Sequence, residues 1–336
     1  MHIIARTAGS RQTPAWRREL ARAVRDPREL LARLGLDPGL LAAAQAATRA
    51  FPLRVPLPYL ARIRRGDPDD PLLRQVLPLE EELRPVPGYT ADPLHESAAR
   101  SAPGLLRKYR GRALLVTTGA CAVHCRYCFR RHYPYAADAI ARPWGAALER
   151  LRADPDLREV ILSGGDPLSL RDESLARLAA ALDTVPHLTR LRIHTRLPVM
   201  IPQRVTDELC DWLTGGRLRP VVVIHANHAR ELDDAVRGAL LRLSARGITL
   251  LNQSVLLHGV NDRVADLVDL SETLFEAGVL PYYLHALDPV QGAAHFAVPD
   301  GAARRLHETL SARLPGYLVP RLVREVPGAS AKLPLA

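Results

Sequence analysis

The sequence predicts an α/β fold in which a parallel sheet is closed or partly closed into a barrel. From position 113 onward, apolar β-branched runs of strand length alternate with segments of helical spacing, in units of roughly 30 residues. Within 230–246, for example, the apolar side chains recur along one helical face. A doubly wound open sheet explains the same periodicity. The predicted strands are 113–118, 159–163, 190–195, 220–225, 248–256, 281–287 and 318–323.

The first 105 residues have a different composition. Positions 13–50 have the pattern of short amphipathic helices, broken at Asp26-Pro27 and at Asp37-Pro38. A proline-rich stretch without a long periodic segment follows. We therefore predict a helical extension and linker over 1–105 that wraps or caps a barrel over 106–316, with a C-terminal strand and loop over 317–336.

Three cysteines form the most informative motif of the chain. Cys121, Cys125 and Cys128 are spaced by three and then two residues, directly after the first predicted strand. Three thiolates can hold three irons of a cubane cluster and leave the fourth iron open, whereas a closed zinc site or an electron carrier needs four protein ligands. The alternatives are ordinary buried cysteines, or a zinc site completed by His124, His132 or Cys210. Cys210 lies on an apolar helical stripe and is most simply a core residue.

The cysteine motif resembles that of the radical S-adenosylmethionine enzymes. In that family the open iron binds S-adenosylmethionine, and an electron from the reduced [4Fe-4S] cluster releases a 5′-deoxyadenosyl radical. The resemblance implies a partial (β/α)6 TIM-like barrel with an N-terminal helical extension, and an external low-potential reductant. It extends to Gly164, Gly165 and Asp166 at the end of the next strand, where two glycines let the backbone approach a ligand. Asn252 and Gln253 end a later predicted strand and are candidate pocket groups.

Lysine usage gives a second signal. Of the 46 basic residues only Lys108 and Lys332 are lysines. In a chain that otherwise uses arginine, a lysine persists where a primary amine is required, as in a Schiff base. Lys332 follows the small-residue loop 327–331 beyond the last predicted strand, and such a loop would bring its amine to the mouth of the barrel.

With these residues the resemblance narrows to the lysine 2,3-aminomutase group, which pairs the cluster with pyridoxal 5′-phosphate. It implies that Lys332 binds that cofactor and that Arg130, two residues after the third cysteine, grips the substrate carboxylate. Asp288 and Glu325 match the acids that hold the distal ammonium of L-lysine. The basic residues that match the surroundings of the cofactor phosphate are Lys108, Arg112 and Arg196.

The C-terminal region departs from the group in two ways. The loop before Lys332 is Gly-Ala-Ser-Ala where a run of glycines is usual, and Glu325 stands where aspartate is usual. The short form of the chain resembles the branch that makes (R)-β-lysine for elongation factor P, with a β-lysine ligase as functional partner. The alternatives are a free-standing aminomutase for lysine or another cationic amino acid, a radical enzyme that modifies RNA, and a non-catalytic iron–sulfur module.

Charge and hydropathy bear on partners and location. The net charge is +10, but the arginines are dispersed among acids and lack an aromatic-rich basic strand, so the pattern does not indicate a nucleic-acid partner. No apolar run approaches the ~20 residues needed to span a bilayer. These observations predict a soluble cytoplasmic enzyme without a membrane partner.

Overall fold

A mixed ten-stranded sheet organises the chain. The computed structural model describes residues 13–136 and 144–336, and within them the strands stand side by side in chain order. The strands are β1 (Arg100–Ala102), β2 (Leu105–Tyr109), β3 (Arg112–Thr118), β4 (Glu159–Gly164), β5 (Arg190–Thr195), β6 (Arg219–Ile224), β7 (Thr249–Val255), β8 (Leu280–His285), β9 (Arg321–Arg324) and β10 (Leu333–Pro334).

Helices precede the sheet and connect its strands. They are α1 (Ala15–Ala21), α2 (Pro27–Leu34), α3 (Leu41–Ala50), α4 (Leu57–Leu60), α5 (Pro71–Arg74), α6 (Gly145–Arg152), α7 (Asp172–Asp183), α8 (Leu197–Met200), α9 (Asp207–Thr214), α10 (Asp234–Ala245), α11 (Val264–Glu276) and α12 (Asp300–Arg313). No helix of the described ranges is long and apolar enough to cross a membrane.

The topology is that of an open barrel. Strands β3 to β9 pair in parallel with their neighbours, and each of the six connections between them contains a helix. At one edge β2 pairs antiparallel with β3, and β1 pairs antiparallel with β2. At the other edge β10 is antiparallel to β9. A doubly wound sheet would reverse its strand order, and this sheet does not. The partial (β/α)6 prediction is therefore confirmed, with a seventh parallel strand added.

Most predicted strands lie within one or two residues of the observed ones. The last prediction was shifted, because Gly316–Leu318 forms a 3₁₀ turn and β9 begins only after Pro320. Proline lacks the N–H that a strand ladder needs. The predicted apolar face within 230–246 is buried in α10, whose N-cap Asp233 accepts a hydrogen bond from Val236 N at 3.0 Å.

The N-terminal extension is helical, as predicted, and breaks where the sequence indicated. Asp26 caps α2 by accepting from Arg28 N at 2.9 Å, and Asp37 caps the following 3₁₀ turn. One continuous apolar core contains Trp16 and Leu72 of the extension together with Leu115 of β3. The extension therefore packs on the barrel near the end of β3, where the cysteine loop begins.

Candidate active site

One cavity of about 430 Å³ lies at the carboxyl ends of the parallel strands. This volume falls in the usual range of cofactor and substrate pockets. It brings together nearly all the residues that the sequence singled out. They are Lys108, Arg112, Cys121, Cys125, Cys128, Arg130, Gly164, Gly165, Asp166, Arg196, Gln253, Asp288, Glu325 and Lys332.

Asn252 is the exception, since it does not line the cavity. Its side chain accepts from Ala226 N at 2.9 Å and donates to Ala226 O at 3.1 Å. It thereby ties β7 to the end of β6 and has a structural role. The adjacent Gln253 does line the cavity, in keeping with strand alternation.

The cysteine loop follows β3 and is held by the N-terminal extension. His124 N donates to Arg54 O at 3.0 Å, and the His124 ring is hydrogen-bonded to Pro52 O at 2.8 Å. Arg126 N donates to Gln75 O at 2.9 Å. His124 therefore connects the cysteine loop to the extension. Cys210 is fully buried in the core on α9, which confirms its assignment as a core residue.

The three cysteines fit a cluster better than a single metal ion. Among residues 13–136 and 144–336, no three His, Cys, Asp or Glu side chains gather closely enough to hold one ion. In a cubane each thiolate binds a different iron, so the ligands need not converge on one point. Burial raises the pKa of Cys128 to about 11 and also raises the pKa of Cys121. Iron binding would supply the charge that deprotonates such thiols.

The Gly164-Gly165-Asp166 turn brings the end of β4 against the cysteine loop. Gly165 N donates to Thr118 O at 2.7 Å, and a Cβ at Gly165 would lie 2.5 Å from Ala120 O. Gly164 has a φ of +116°, which favours glycine. The glycines thus permit close contact between two backbones, in addition to the approach to a ligand that the sequence suggested.

Asp166 connects this turn to β5. Its carboxylate accepts from Thr195 Oγ1 at 2.7 Å, from Arg196 N at 2.8 Å and from Leu168 N at 3.0 Å. Burial nevertheless raises its pKa. These bonds fix the end of β5, and with it the direction of the Arg196 side chain.

Lys332 and Lys108 both pair with Glu325. Lys332 Nζ lies 2.5 Å from Glu325 Oε2, and Lys108 Nζ lies 2.8 Å from Glu325 Oε1. Burial opposes ionisation, but the two ammonium groups hold the pKa of Glu325 well below its usual range. The second predicted acid, Asp288, follows β8 in the same cavity. Burial, together with the charge of Glu325, raises the pKa of Asp288 to about 7.

Arg130 is bound by an acid that the sequence analysis did not identify. Glu96 accepts from Arg130 Nε at 2.7 Å and from Nη2 at 2.8 Å, and it lies 2.9 Å from Lys108 Nζ. Arg130 Nη1 donates to Ser163 Oγ at 2.9 Å. Burial disfavours the Glu96 carboxylate, but Arg130 and Lys108 outweigh it and lower the pKa of Glu96 to about 2. A lone acid in a proline-rich stretch carries no sequence signal for this role.

The basic residues predicted around a cofactor phosphate divide into two groups. Lys108 lies beside Glu325 at the Lys332 end, and Arg112 stacks over the Tyr109 ring at 4.6 Å. Arg196 is directed elsewhere, because its Nη1 donates to Cys125 Sγ at 2.7 Å. Arg196 therefore lies against the cysteine loop, and its role at the cofactor phosphate stays a prediction.

Several buried polar atoms of the cavity wall have no hydrogen-bond partner among the described residues. They are His194 Nε2, His225 Nε2, His285 Nε2, Gln253 Oε1, Asp288 Oδ1 and Arg112 Nε. Burial lowers the pKa of each of the three histidines, so these rings are neutral near pH 7. Unpaired buried polar atoms around one cavity are what a polar ligand would satisfy. The residues present therefore fit bound cofactors.

Comparison with known proteins gives first the class and then the family. Residues 115–271, which include all three cysteines and the glycine turn, match the Radical SAM superfamily. An L-lysine 2,3-aminomutase from Escherichia coli (strain K12) is 49% identical over 336 residues, covering 99% of this chain and 97% of the relative. The Haemophilus influenzae protein of that name is 46% identical, covering 99% and 98%. One from Clostridium subterminale is 37% identical over 281 residues, covering 82% of this chain and 67% of the relative.

The likeness to the Escherichia coli and Haemophilus influenzae proteins extends along nearly the whole length of this chain and of each relative. The protein belongs to the L-lysine 2,3-aminomutase family and is an isomerase.

Proposed function

We propose that the protein converts L-lysine to β-lysine with a [4Fe-4S] cluster, S-adenosylmethionine and pyridoxal 5′-phosphate. One observation carries the proposal: a single cavity is lined by three cysteines, a lysine and two acids. An iron–sulfur carrier has no use for the Lys332 group. An enzyme that methylates or thiolates RNA has none either.

In this proposal Cys121, Cys125 and Cys128 hold the cluster. Bound S-adenosylmethionine would supply the radical that removes hydrogen from the substrate. The neutral rings of His194 and His225 face the same cavity and can hydrogen-bond a nucleoside without adding charge. The wall of the cavity is mostly apolar and buried, which excludes water from a reactive radical.

Pyridoxal phosphate would attach to Lys332, with Lys108 and Arg112 near its phosphate. The cofactor would supply a conjugated ring that stabilises an unpaired electron during nitrogen migration. Glu325 holds the Lys332 ammonium at 2.5 Å, so it keeps that amine in place. Arg112 Nε is unpartnered among the described residues, and a phosphate oxygen would satisfy it.

The substrate would be held at both ends. Glu96 accepts from Nε and Nη2 of Arg130 and Ser163 accepts from Nη1, so the substrate carboxylate would bind the remaining N–H groups of the two terminal nitrogens. Asp288 and Glu325 offer negative charge at the other end, which favours a cationic side chain such as that of lysine. An acidic substrate such as glutamate would meet like charges there. Fixing both ends orients the carbon that loses hydrogen.

A more specific proposal is that the β-lysine product is used to modify elongation factor P. It is supported by the resemblance of the motifs to that branch of the family. Arginine is the second candidate substrate, because its side chain is also cationic. The proposed cellular location is the cytoplasm, since the modified factor acts in translation.

The test is anaerobic reconstitution with iron, sulfide, S-adenosylmethionine and pyridoxal phosphate, followed by chromatography of the products from L-lysine and L-arginine. We expect β-lysine from L-lysine. Absence of a β-amino acid from both substrates would refute the proposal. A chiral separation of the product decides between its R and S forms.

Lys332→Ala isolates the pyridoxal part of the proposal. This variant is expected to lose the visible absorbance of lysine-bound pyridoxal phosphate while keeping the absorbance of the cluster. Lys108→Ala is the matched control, because it removes the only other lysine and leaves the attachment amine in place. Cofactor absorbance that survives in Lys332→Ala and vanishes in Lys108→Ala would assign the attachment to the other lysine.

A further inference from the structure

Arg196 makes direct contact with one of the cysteines. Its Nη1 donates to Cys125 Sγ at 2.7 Å, and the side chain is 7% exposed. A buried guanidinium is always charged, so this contact places a full positive charge beside the sulfur. An acid that pairs with Arg196 partly cancels this charge and therefore also affects the electrostatic potential at the sulfur.

The balancing group is Glu231. Its Oε2 accepts from Arg196 Nη2 at 2.8 Å, and it is completely buried. Its Oε1 accepts from the backbone N–H of Asn227 at 2.8 Å and from Gln75 Nε2 at 3.0 Å. The backbone N–H of His228, at 3.2 Å from Oε1, is the fourth donor to this carboxylate. Burial opposes ionisation, but Arg196 outweighs it, so the pKa of Glu231 is lowered.

The position of Arg196 is fixed from several directions. Its guanidinium lies 5.7 Å from the ring centroids of both Tyr59 and Tyr127. Nη2 also donates to Gln75 Oε1 at 2.5 Å. Its backbone N–H donates to Asp166. Such an arrangement leaves the side chain little freedom, so its charge acts on Cys125 at a constant distance.

We propose that Arg196 and Glu231 are positioning residues that set the reduction potential of the cluster bound through Cys125. Reduction adds one electron, taken from a low-potential donor, to a group that already carries thiolate charge. Hydrogen bonds to the sulfurs and nearby net charge control this potential. Arg196 favours the reduced state, and Glu231 opposes it by partly cancelling that charge. The inference rests on the cluster part of the proposed function and on neither lysine nor pyridoxal phosphate.

The test is a redox titration of the reconstituted protein with dithionite as donor, in which electron paramagnetic resonance reports the reduced cluster. In Arg196→Gln the ratio of reduced to oxidised cluster at the wild-type midpoint is expected to fall about tenfold, a downward shift of about 59 mV for one electron. In Glu231→Gln the ratio is expected to rise. Opposite signs distinguish an electrostatic role from loss of packing, which would move both variants alike.

Arg204→Gln is the matched control. Arg204 is also fully buried and paired with a carboxylate, since its Nη2 lies 2.7 Å from Asp172 Oδ1, but it does not contact a cysteine. We expect the reduction potential of the cluster in Arg204→Gln to equal that of the wild type. Arg196→Lys retains the charge and is expected to recover part of the shift.

Three outcomes would overturn the inference. The first is an unchanged reduction potential in both Arg196→Gln and Glu231→Gln, and the second is a shift of the same sign in both. The third is loss of iron from both variants with unchanged melting temperatures, which would assign the pair to cluster assembly. A wild-type protein that binds no cluster would instead refute the proposed function itself. A protein that binds the cluster but makes no β-amino acid would leave the inference standing.

Discussion

The charged side chains of the cavity form a chain of alternating sign. Arg130 pairs with Glu96, Glu96 with Lys108, Lys108 with Glu325, and Glu325 with Lys332. Each buried charge has an opposite neighbour within 3 Å, which compensates part of its desolvation. The chain links the proposed carboxylate clamp to the proposed cofactor lysine, so a change at one member is expected to alter its neighbours.

Glu96→Gln tests the clamp. A neutral amide cannot accept two charge-assisted hydrogen bonds from Arg130, and such bonds are worth about 1.5–3 kcal/mol. The KM for lysine is therefore expected to rise roughly tenfold or more, while inhibition by 1,5-diaminopentane, which lacks the carboxylate, stays unchanged. Steady-state kinetics with both compounds measures the difference.

The control for Glu96→Gln is Glu208→Gln, an exposed substitution on α9. It should change neither the KM for lysine nor the inhibition by 1,5-diaminopentane. An equal loss for both compounds would mean that Glu96 supports the cavity as a whole and does not act through Arg130.

In the proposed function, Asp288 is expected to make substrate binding depend on pH. Its carboxyl is neutral below its pKa of about 7 and charged above it. Only the charged form attracts the distal ammonium, so the KM for lysine is expected to fall as the pH rises from about 6 to about 8. Asp288→Asn should flatten this profile, and Asp269→Asn, at an exposed position of α11, should preserve it. A pH profile that Asp288→Asn leaves intact would remove Asp288 from this role.

The same residue affects stability with a defined sign. Folding raises the pKa of Asp288 from 3.8 to about 7, so the folded state binds the proton more tightly than the unfolded state. Its contribution to the free energy of unfolding is complete below about pH 4 and is lost as the pH rises through about 7. Urea unfolding of wild type and Asp288→Asn across that interval would detect the difference.

At this scale, sequence reasoning located residues that belong to local motifs. The cysteines and Lys332 stand out because their spacing or rarity is visible in one segment. Glu96 and the contact of Arg196 with Cys125 were missed, because each joins positions that are far apart in the chain. Single-chain patterns contain no record of such pairings.

At the scale of elements, the glycine turn after β4 and the cysteine loop after β3 depend on each other. Asp166 N donates to Ala120 O at 2.8 Å, next to the first cysteine. In Gly165→Ala the added methyl would lie 2.5 Å from Ala120 O and 2.8 Å from Gly119 C. Both are backbone atoms, so they cannot move aside as a flexible side chain can. We expect this variant to lose most of its iron after reconstitution, as measured by iron and sulfide analysis.

Gly238→Ala is the matched control for the turn. Gly238 lies in α10 with no atom within 4 Å of the added Cβ, and alanine favours a helix over glycine by about 1 kcal/mol. Full iron content in Gly165→Ala would show that the two loops can separate without harm to the metal site.

The elements that the sequence predicted are the ones with a strong apolar signal. Strands β4 and β6, for example, contain runs of buried valine and isoleucine that are evident in the sequence. Strands β1 and β10 were missed because they are short and mostly exposed, and β2 was missed because only Leu105 and Leu106 of it are buried. An edge strand that does not bury both faces lacks the hydrophobic run on which such a prediction depends.

At the scale of the whole molecule, the extension and the barrel meet around one buried acid. Glu82 of the extension accepts from Arg126 Nε at 2.8 Å and lies 2.6 Å from Arg131 Nη2, with both arginines in the cysteine loop region. Arg126 Nη1 also donates to Phe51 O at 2.9 Å. The extension was predicted only to wrap the barrel, and these contacts give it a direct part in holding the metal site.

Glu82→Ala tests that coupling. The substitution leaves two buried guanidinium groups without their shared carboxylate, and removing one partner of a buried pair typically costs about 3–5 kcal/mol. We expect a loss of this size in the free energy of unfolding by urea, together with reduced iron content, because Arg126 adjoins Cys125. Glu80→Ala removes an exposed acid from the same turn, where its partner Arg84 lies 3.4 Å away, and should cost less than about 1 kcal/mol. Equal effects of the two substitutions would mean that the extension folds beside the barrel without stabilising it.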